Sequence, residues 1–170
     1  MAGDLTFHLC DTERGWVGLV LSPYGLRATT LPRQTRAEVL RDVMEAGAVG
    51  PAPEAELTDL PERVSALASG RWSSLALHID WTGISPFRRA VLEETMRVPP
   101  GETRSYGEIA ARVGRPGAAR AVGRVMATNP LPLVVPCHRV IGSDGGLHGY
   151  GGGLDMKASL LRAEGVKVRA

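Results

Sequence analysis

The chain has 170 residues, 44% of them hydrophobic and 22% charged, with a formal net charge of +2, a size that suits one domain or two small ones sharing an interface. Its longest apolar runs, such as Leu131 to Val135 with a proline inside, fall far short of the roughly 20 residues of a membrane-spanning helix, and Met1-Ala2-Gly3-Asp4 lacks the basic patch and apolar core of a secretory signal. Only two cysteines occur, Cys10 and Cys137, which excludes a disulfide scaffold and favours a reducing, intracellular setting.

Residues 1–80 read as a small α/β unit. Trp16 to Leu21 is a strand, Ser22-Pro23-Tyr24-Gly25 a turn with proline presetting φ, and Leu26 to Leu31 a second strand completing a hairpin. Ala37, Leu40, Val43 and Met44 stand at helical spacing within Thr35 to Ala46. Residues 47–53 read as a loop, Leu57 to Leu67 as a helix, and Leu75 to Ile79 as a returning strand. His8 and Cys10 raise the question of a metal, but no further Cys–His pairs complete a four-ligand set.

Trp81 to Ser85 marks a boundary, and residues 81–170 form the second domain. Ser85 suits an N-cap and Pro86 the first helical position; Phe87, Val91, Leu92 and Met96 then share one stripe until Pro99-Pro100-Gly101 stops the helix. Ser105-Tyr106-Gly107-Glu108 is a capping-box pattern opening a short helix to about Val113. Gly114-Arg115-Pro116-Gly117 turns the chain into a second helix ending near Thr128, which makes a helix-turn-helix. On that second helix Ala118, Val122, Val125 and Met126 face inward, Arg120 and Arg124 face elsewhere, and Ala119, Gly123 and Ala127 form a stripe of small residues. Glycine inside a helix costs about 1 kcal/mol relative to alanine, so Gly123 calls for close approach, either to a neighbouring helix or to a DNA groove. Residues 1–80 carry 7 Lys+Arg and 11 Asp+Glu, whereas residues 81–170 carry 13 and 7. That asymmetry fits a polyanion partner for the second half, and an uneven spread of arginine equally well.

Leu131 to Pro136 reads as extended and apolar, delivering Cys137-His138-Arg139-Val140 into a mostly buried site. Most cysteines in apolar surroundings are inert, because burial disfavours the nucleophilic thiolate; a histidine and arginines close by supply a base and positive charge. Adjacent side chains on an extended segment point apart, so His138 needs a local turn or a bridging water to serve Cys137. The glycine-rich Gly142 to Gly153 lacks the lysine of a phosphate-binding loop and reads as a flexible loop or a wall for a ligand. Leu154 to Ala163 returns to helical spacing, with Gly165 as its stop.

Pro136-Cys137-His138-Arg139-Val140 resembles the active-site signature of the O6-alkylguanine-DNA alkyltransferases, also called methylated-DNA–protein-cysteine methyltransferases. Ser105 to Ala110, Ala119-Arg120-Ala121-Val122-Gly123, Asn129-Pro130, Gly149-Tyr150-Gly151-Gly152 and Lys157 through Leu160-Leu161 to Glu164-Gly165 resemble further family motifs, in order and at matching spacing. The likeness is specific over residues 85–165 and loose before them.

The resemblance implies an α/β N-terminal unit packed with a mainly α domain bearing the helix-turn-helix. It implies irreversible, single-turnover transfer of an alkyl group from O6-alkylguanine, and from O4-alkylthymine, to Cys137 held as a poised thiolate, with the base flipped out of the duplex. His138 would take the thiol proton through a water, Glu164 would orient the imidazole, Asn129 would brace the preceding turn, and Tyr106 would press on a phosphate and offer its hydroxyl to the leaving guanine. Arg120 would fill the vacated stack; Ala119, Ala121, Gly123 and Arg124 would meet the minor groove; Val140, Tyr150, Gly151 and Gly152 would line the guanine pocket. The implied partner is double-stranded DNA bound by a monomer in the cytoplasm or nucleoid, with no cofactor, metal or membrane. Two departures stand out: Gly151 replaces a serine found in many relatives, and His148 lies in the loop, read as solvated. A sensor that binds the lesion without repairing it lacks a cysteine at this position, and a cysteine hydrolase on Cys137, His138 and Glu164 would need an oxyanion hole of which the sequence gives no independent sign.

Overall fold

The computed structural model describes residues 3–71 and 77–169. The chain divides into one unit of residues 1–82 with 130–134 and another of residues 83–129 with 135–170, so segment 130–134 joins the first unit although it falls within 81–170 in sequence.

In the first unit, β1 (Leu5–Thr12), β2 (Gly15–Ser22) and β3 (Gly25–Thr29) form an antiparallel meander. Helix α1 (Arg36–Glu45) opens on a capping box between Thr35 and Glu38, each satisfying the other's backbone N–H. It leads into β4 (Ala48–Pro51), which lies parallel to β1 and gives the sheet order β3-β2-β1-β4. From sequence alone, residues 47–53 read as a loop. The strand exists through a partner far off in sequence, and an edge position tolerates Pro51 because only one side of the strand must pair. Val17, Leu19 and Val20 of β2 are fully buried, as expected of a central strand covered on both faces. Val39 and Val43 of α1 pack with Val20 and Ala48 on one face. They approach so closely at Gly18 that any Cβ there would collide with Val43.

The helix expected over Leu57 to Leu67 is broken into α2 (Glu54–Leu57) and α3 (Leu60–Ala68), separated by Thr58 at φ 46°. Pro61 explains the break: inside a continuous helix it would remove a hydrogen bond and clash with the preceding turn, whereas the first turn accepts it. Of the strand expected over residues 75–79, Leu75 and Ala76 lie outside the described residues, and Ile79 makes an isolated bridge to Leu26. Segment 130–134 is not extended as the sequence suggests. It turns at Leu133 (φ 73°), and Thr29 of β3 donates its N–H to Pro130 O at 2.9 Å and its hydroxyl to Pro132 O at 2.7 Å. Cys10 is a buried free thiol, pushed up to about 11 by burial and then by Glu62.

In the second unit, α4 (Pro86–Met96) starts at the expected Ser85 cap, which accepts from Arg88 N, and buries Val91 and Leu92 while Phe87 and Met96 stay half-buried. A two-residue strand, β5 (Arg104–Ser105), runs into α5 (Tyr106–Arg112), whose capping box joins Ser105 and Glu108 as expected. Helix α6 (Ala119–Ala127) packs on α5 and α4 with Val122, Val125 and Met126 buried. A 3-10 turn over Cys137–Arg139 leads to β6 (Val140–Ile141), parallel to β5. Helix α7 (Leu154–Ala163) ends at Gly165, whose φ of 84° lets Gly165 and Val166 donate to Arg162 and Leu161 carbonyls. Among the described residues, no helix is long and apolar enough to cross a membrane.

Candidate active site

The 3-10 turn decides where three consecutive side chains go. Cys137 N donates to Val135 O at 2.7 Å and Arg139 N to Pro136 O at 2.9 Å, so the backbone coils tightly and the side chains fan apart. The chain does turn here, but the turn carries His138 toward Glu164 rather than onto the sulfur. Cys137 points into a cavity of about 440 Å³ lined by Tyr106, Gly123, Met126, Ala127, Gly149, Tyr150 and Gly151. His138 and Arg139 both turn to Glu164, the C-cap of α7.

Glu164 Oε1 accepts from His138 Nε2 at 2.8 Å, and Arg139 donates to Oε1 at 2.8 Å and to Oε2 at 3.0 Å. Burial alone would raise the Glu164 carboxyl, but the bonds from His138 and Arg139 hold it down at about 2, so it stays ionised. His138 is 2% exposed, and burial lowers its ionisation below the ordinary imidazole value against the pull of Glu164. With Nε2 donating to the carboxylate, its Nδ1 is left as an acceptor, buried and without a hydrogen-bond partner.

Burial also pushes the Cys137 thiol up, and the Asn129 amide, Lys157, its own backbone N–H and Tyr150 pull the other way. The balance lies upward, so the sulfur rests as a thiol. Cys137 as a residue is 7% exposed, which leaves its sulfur little solvation for a charge and weighs against the poised thiolate expected from the sequence. Asn129 is anchored by its Nδ2, which donates to Val135 O at 3.0 Å. The Tyr150 hydroxyl is buried beside the Cys137 sulfur, and burial followed by that sulfur raises its ionisation far above that of a free phenol. Tyr106, the first residue of α5, is raised by the same two causes.

Two buried cations hold the site together, Lys157, to which the sequence assigned no role, and Arg139, expected only as nearby positive charge. Lys157 Nζ donates to Val140 O and Leu147 O at 2.7 Å and to Gly149 O at 3.4 Å, and lies 5.9 Å from the centre of the Tyr106 ring. Burial lowers it to about 8, with the Cys137 charge acting oppositely. Arg139 also gives Nη1 to Val98 O at 2.6 Å. The signal for Lys157 was there: it shares the buried side of α7 with Ala158, Leu160 and Leu161.

A groove of about 500 Å³ shares Tyr106 and Gly123 with the cavity and continues along Gly107, Ala119, Arg120, Gly142, Ser143, Asp144 and His148. Ala119, Arg120 and Gly123 thus meet on one wall, while Ala121 and Arg124 line neither space. Val140 and Gly152 do not line the cavity either; Val140 is fully buried and acts through its carbonyl. A Cβ on Gly123 would meet only Tyr106, at 3.9 and 4.0 Å, which is ordinary contact. Packing within the protein therefore does not demand glycine there, and the open side of α6 is where extra bulk would be felt. His148 is exposed, at φ 54°, and contacts Asp144 at 3.1 Å. Among the described residues, no group of three or more His, Cys, Asp or Glu could hold a metal. A free thiol at the base of a cavity, a buried imidazole with an unused acceptor and a fixed carboxylate make a setting for nucleophilic attack by sulfur.

Residues 86–166 match the family described as 6-O-methylguanine DNA methyltransferase, DNA binding domain. The methylated-DNA–protein-cysteine methyltransferase of Mycobacterium leprae (strain TN) is 41% identical over 147 residues, covering 86% of this chain and 85% of the relative. The crystal structure of Mycobacterium tuberculosis O6-methylguanine methyltransferase superposes with a TM-score of 0.75 at 34% identity, covering 94% of this chain and 92% of that one. Mycobacterium tuberculosis OGT in complex with DNA gives 0.74 at 33% identity over the same shares.

Proposed function

The chain belongs to the methylated-DNA–protein-cysteine methyltransferase family, and from that membership we propose that it repairs DNA by moving an alkyl group from O6 of a damaged guanine, or O4 of a damaged thymine, onto its own Cys137. The observation that carries this reading is the cavity of about 440 Å³ opening onto a free cysteine whose neighbour, His138, keeps Nδ1 buried and unpaired. An orphaned buried acceptor costs about 1–3 kcal/mol, and a proton relay to the thiol gives it a use.

The thiol proton passes through a water to His138 Nδ1, with Glu164 balancing the imidazolium. The sulfur lone pair forms the S–C bond as the C–O6 bond breaks, and the bonding pair stays on the guanine, which takes up the proton from His138. The products are an S-alkyl cysteine and neutral guanine, so atoms and charge balance without a cofactor. A thioether does not revert, so each molecule acts once. Tyr106 and Tyr150 bring hydroxyls to the cavity, suited to the leaving base. The target atom lies inside the base stack, so the nucleotide is flipped out at a few kcal/mol, less when alkylation has weakened its pair. Arg120, beside Ala119 and Gly123, fills the gap, with the small-residue face of α6 against the minor groove. The protein acts on double-stranded DNA as a monomer, in the cytoplasm.

Mixing the protein with a duplex oligonucleotide containing O6-methylguanine and weighing the intact chain tests this. One added methyl at Cys137, stoichiometric with repair and missing in Cys137→Ser, is expected. Tight binding without a mass change points to a lesion sensor, and repeated turnover to a hydrolase.

A further inference from the structure

Glu164 has two cationic claimants. Arg139 takes both carboxylate oxygens with a fork of Nε and Nη2, while His138 shares Oε1; all three side chains are 3% exposed or less. The third guanidinium arm is tied to Val98 O, just beyond α4, so the fork cannot swing away without breaking a buried bond. A guanidinium keeps its proton at any working pH and binds carboxylates in a rigid two-point geometry. In a simple imidazole–carboxylate pair the whole negative charge acts on the imidazole. Here a permanent cation sits on the same carboxylate.

We propose that Arg139 is a positioning residue of the transfer reaction: it fixes the Glu164 carboxylate so that His138 carries its proton on Nε2 and offers Nδ1, and it restrains how strongly that imidazole holds a second proton. The groups facing His138 set the balance. Glu164 favours the imidazolium, while Arg139 and Lys157 oppose it, and Cys137 is the adjoining acid. A general base works best when it gives the proton up as readily as it takes it. His138 must accept from the Cys137 thiol and then release to the departing guanine. Too basic an imidazole would keep the proton.

The inference rests on the base role given to His138 above. Arg139→Met and Arg139→Lys are made in the full chain, His138 protonation is followed by NMR across pH without DNA, and methyl uptake from the same oligonucleotide is followed over the same range. With the guanidinium gone, Glu164 acts on His138 alone. The His138 midpoint in Arg139→Met is then expected to rise by about one pH unit, a tenfold gain in proton affinity, and the acid limb of the transfer profile to move with it. Arg139→Lys keeps the charge but loses the fork, and is expected to shift less and recover part of the rate. An unmoved midpoint in Arg139→Met, even with a slower reaction, overturns the inference and leaves Arg139 a structural brace. If Arg139→Met does not fold, Arg139→Gln, which is also neutral but keeps polar atoms for the Glu164 and Val98 contacts, decides: a raised midpoint supports the inference and an unmoved one overturns it. Failure of the unmodified chain to take up methyl sinks the proposed function instead, because the midpoint is read without substrate.

Discussion

Replacing Lys157 by methionine separates the site's architecture from its chemistry. Methionine keeps the unbranched apolar stem and removes the ammonium. The two short bonds, to Val140 O and Leu147 O at 2.7 Å, leave carbonyls unpaired at about 1–3 kcal/mol each, or about 2–6 kcal/mol together. An opposing gain follows from the same burial. A fall from 10.5 to about 8 means that the folded protein disfavours the ammonium, by about 3 kcal/mol at about 1.4 kcal/mol per pH unit, and methionine relieves this. The net change in stability is therefore modest, between a gain of about 1 and a loss of about 3 kcal/mol, measurable by denaturant unfolding. Function should suffer more. Lys157 ties Leu147 and Gly149 to Val140, and Gly149, Tyr150 and Gly151 line the cavity. Misplacing reacting groups by about 1 Å can cost 100-fold, and the ionising sulfur also loses a nearby positive charge. Single-turnover methyl transfer is expected to slow at least tenfold. A rate within about twofold of the unmodified chain, alongside a measurable change in stability, would show that a clamp on this loop has no bearing on the chemistry.

Other positions give contrasting signatures. Gly123→Ala has room in the protein, with Tyr106 at 3.9 Å, so helix propensity should raise stability by up to about 1 kcal/mol while transfer from duplex DNA falls; unchanged duplex repair would return Gly123 to a packing role. Arg120→Ala should slow repair in duplex far more than reaction with free O6-benzylguanine, and equal losses would remove Arg120 from base flipping. Glu164 gives a pH test. Its folded value, about 2, lies below the ordinary 4.5, so its stabilisation is full above that ordinary value and fades as pH falls toward 2, by about 3 kcal/mol in all. Unfolding free energies of Glu164→Gln should lose this part of the acid slope, and an identical slope would place the missing protons elsewhere.

The features legible in the sequence are those whose causes are local. Ser85 with Pro86, and Ser105 with Glu108, state a helix start within four residues, because the cap satisfies backbone groups of its own first turn. Pro61 is an equally local signal, and the break before α3 could have been read from it. The alternation of Leu5, Phe7 and Leu9 with Thr6, His8 and Cys10 likewise spells β1, although the His–Cys pair drew attention to metal instead. Strand β4 is different: Ala48 to Pro51 has little strand character of its own and is held by β1, some 40 residues earlier in the chain. Nor does Leu133 favour the left-handed conformation; the turn there follows from two carbonyls captured by Thr29.

The same division runs through the site. That a histidine beside a cysteine could act on it was readable as chemistry, yet adjacency is what keeps the two side chains apart. The 3-10 turn sends His138 toward a carboxylate 26 residues further on and leaves its other nitrogen unengaged, which is the arrangement the proposed relay uses. Arg139 and Lys157 look like ordinary basic residues of a basic half, but burial and their carbonyl and carboxylate partners turn them inward. The positive charge of residues 81–170 thus has two destinations. Arg120 and Arg124 are exposed on α6, where a polyanion can meet them, whereas Arg139 and Lys157 are committed to the scaffold around the sulfur. A count of basic residues therefore overstates the surface available to DNA, and the salt dependence of duplex binding should reflect the exposed basic side chains alone.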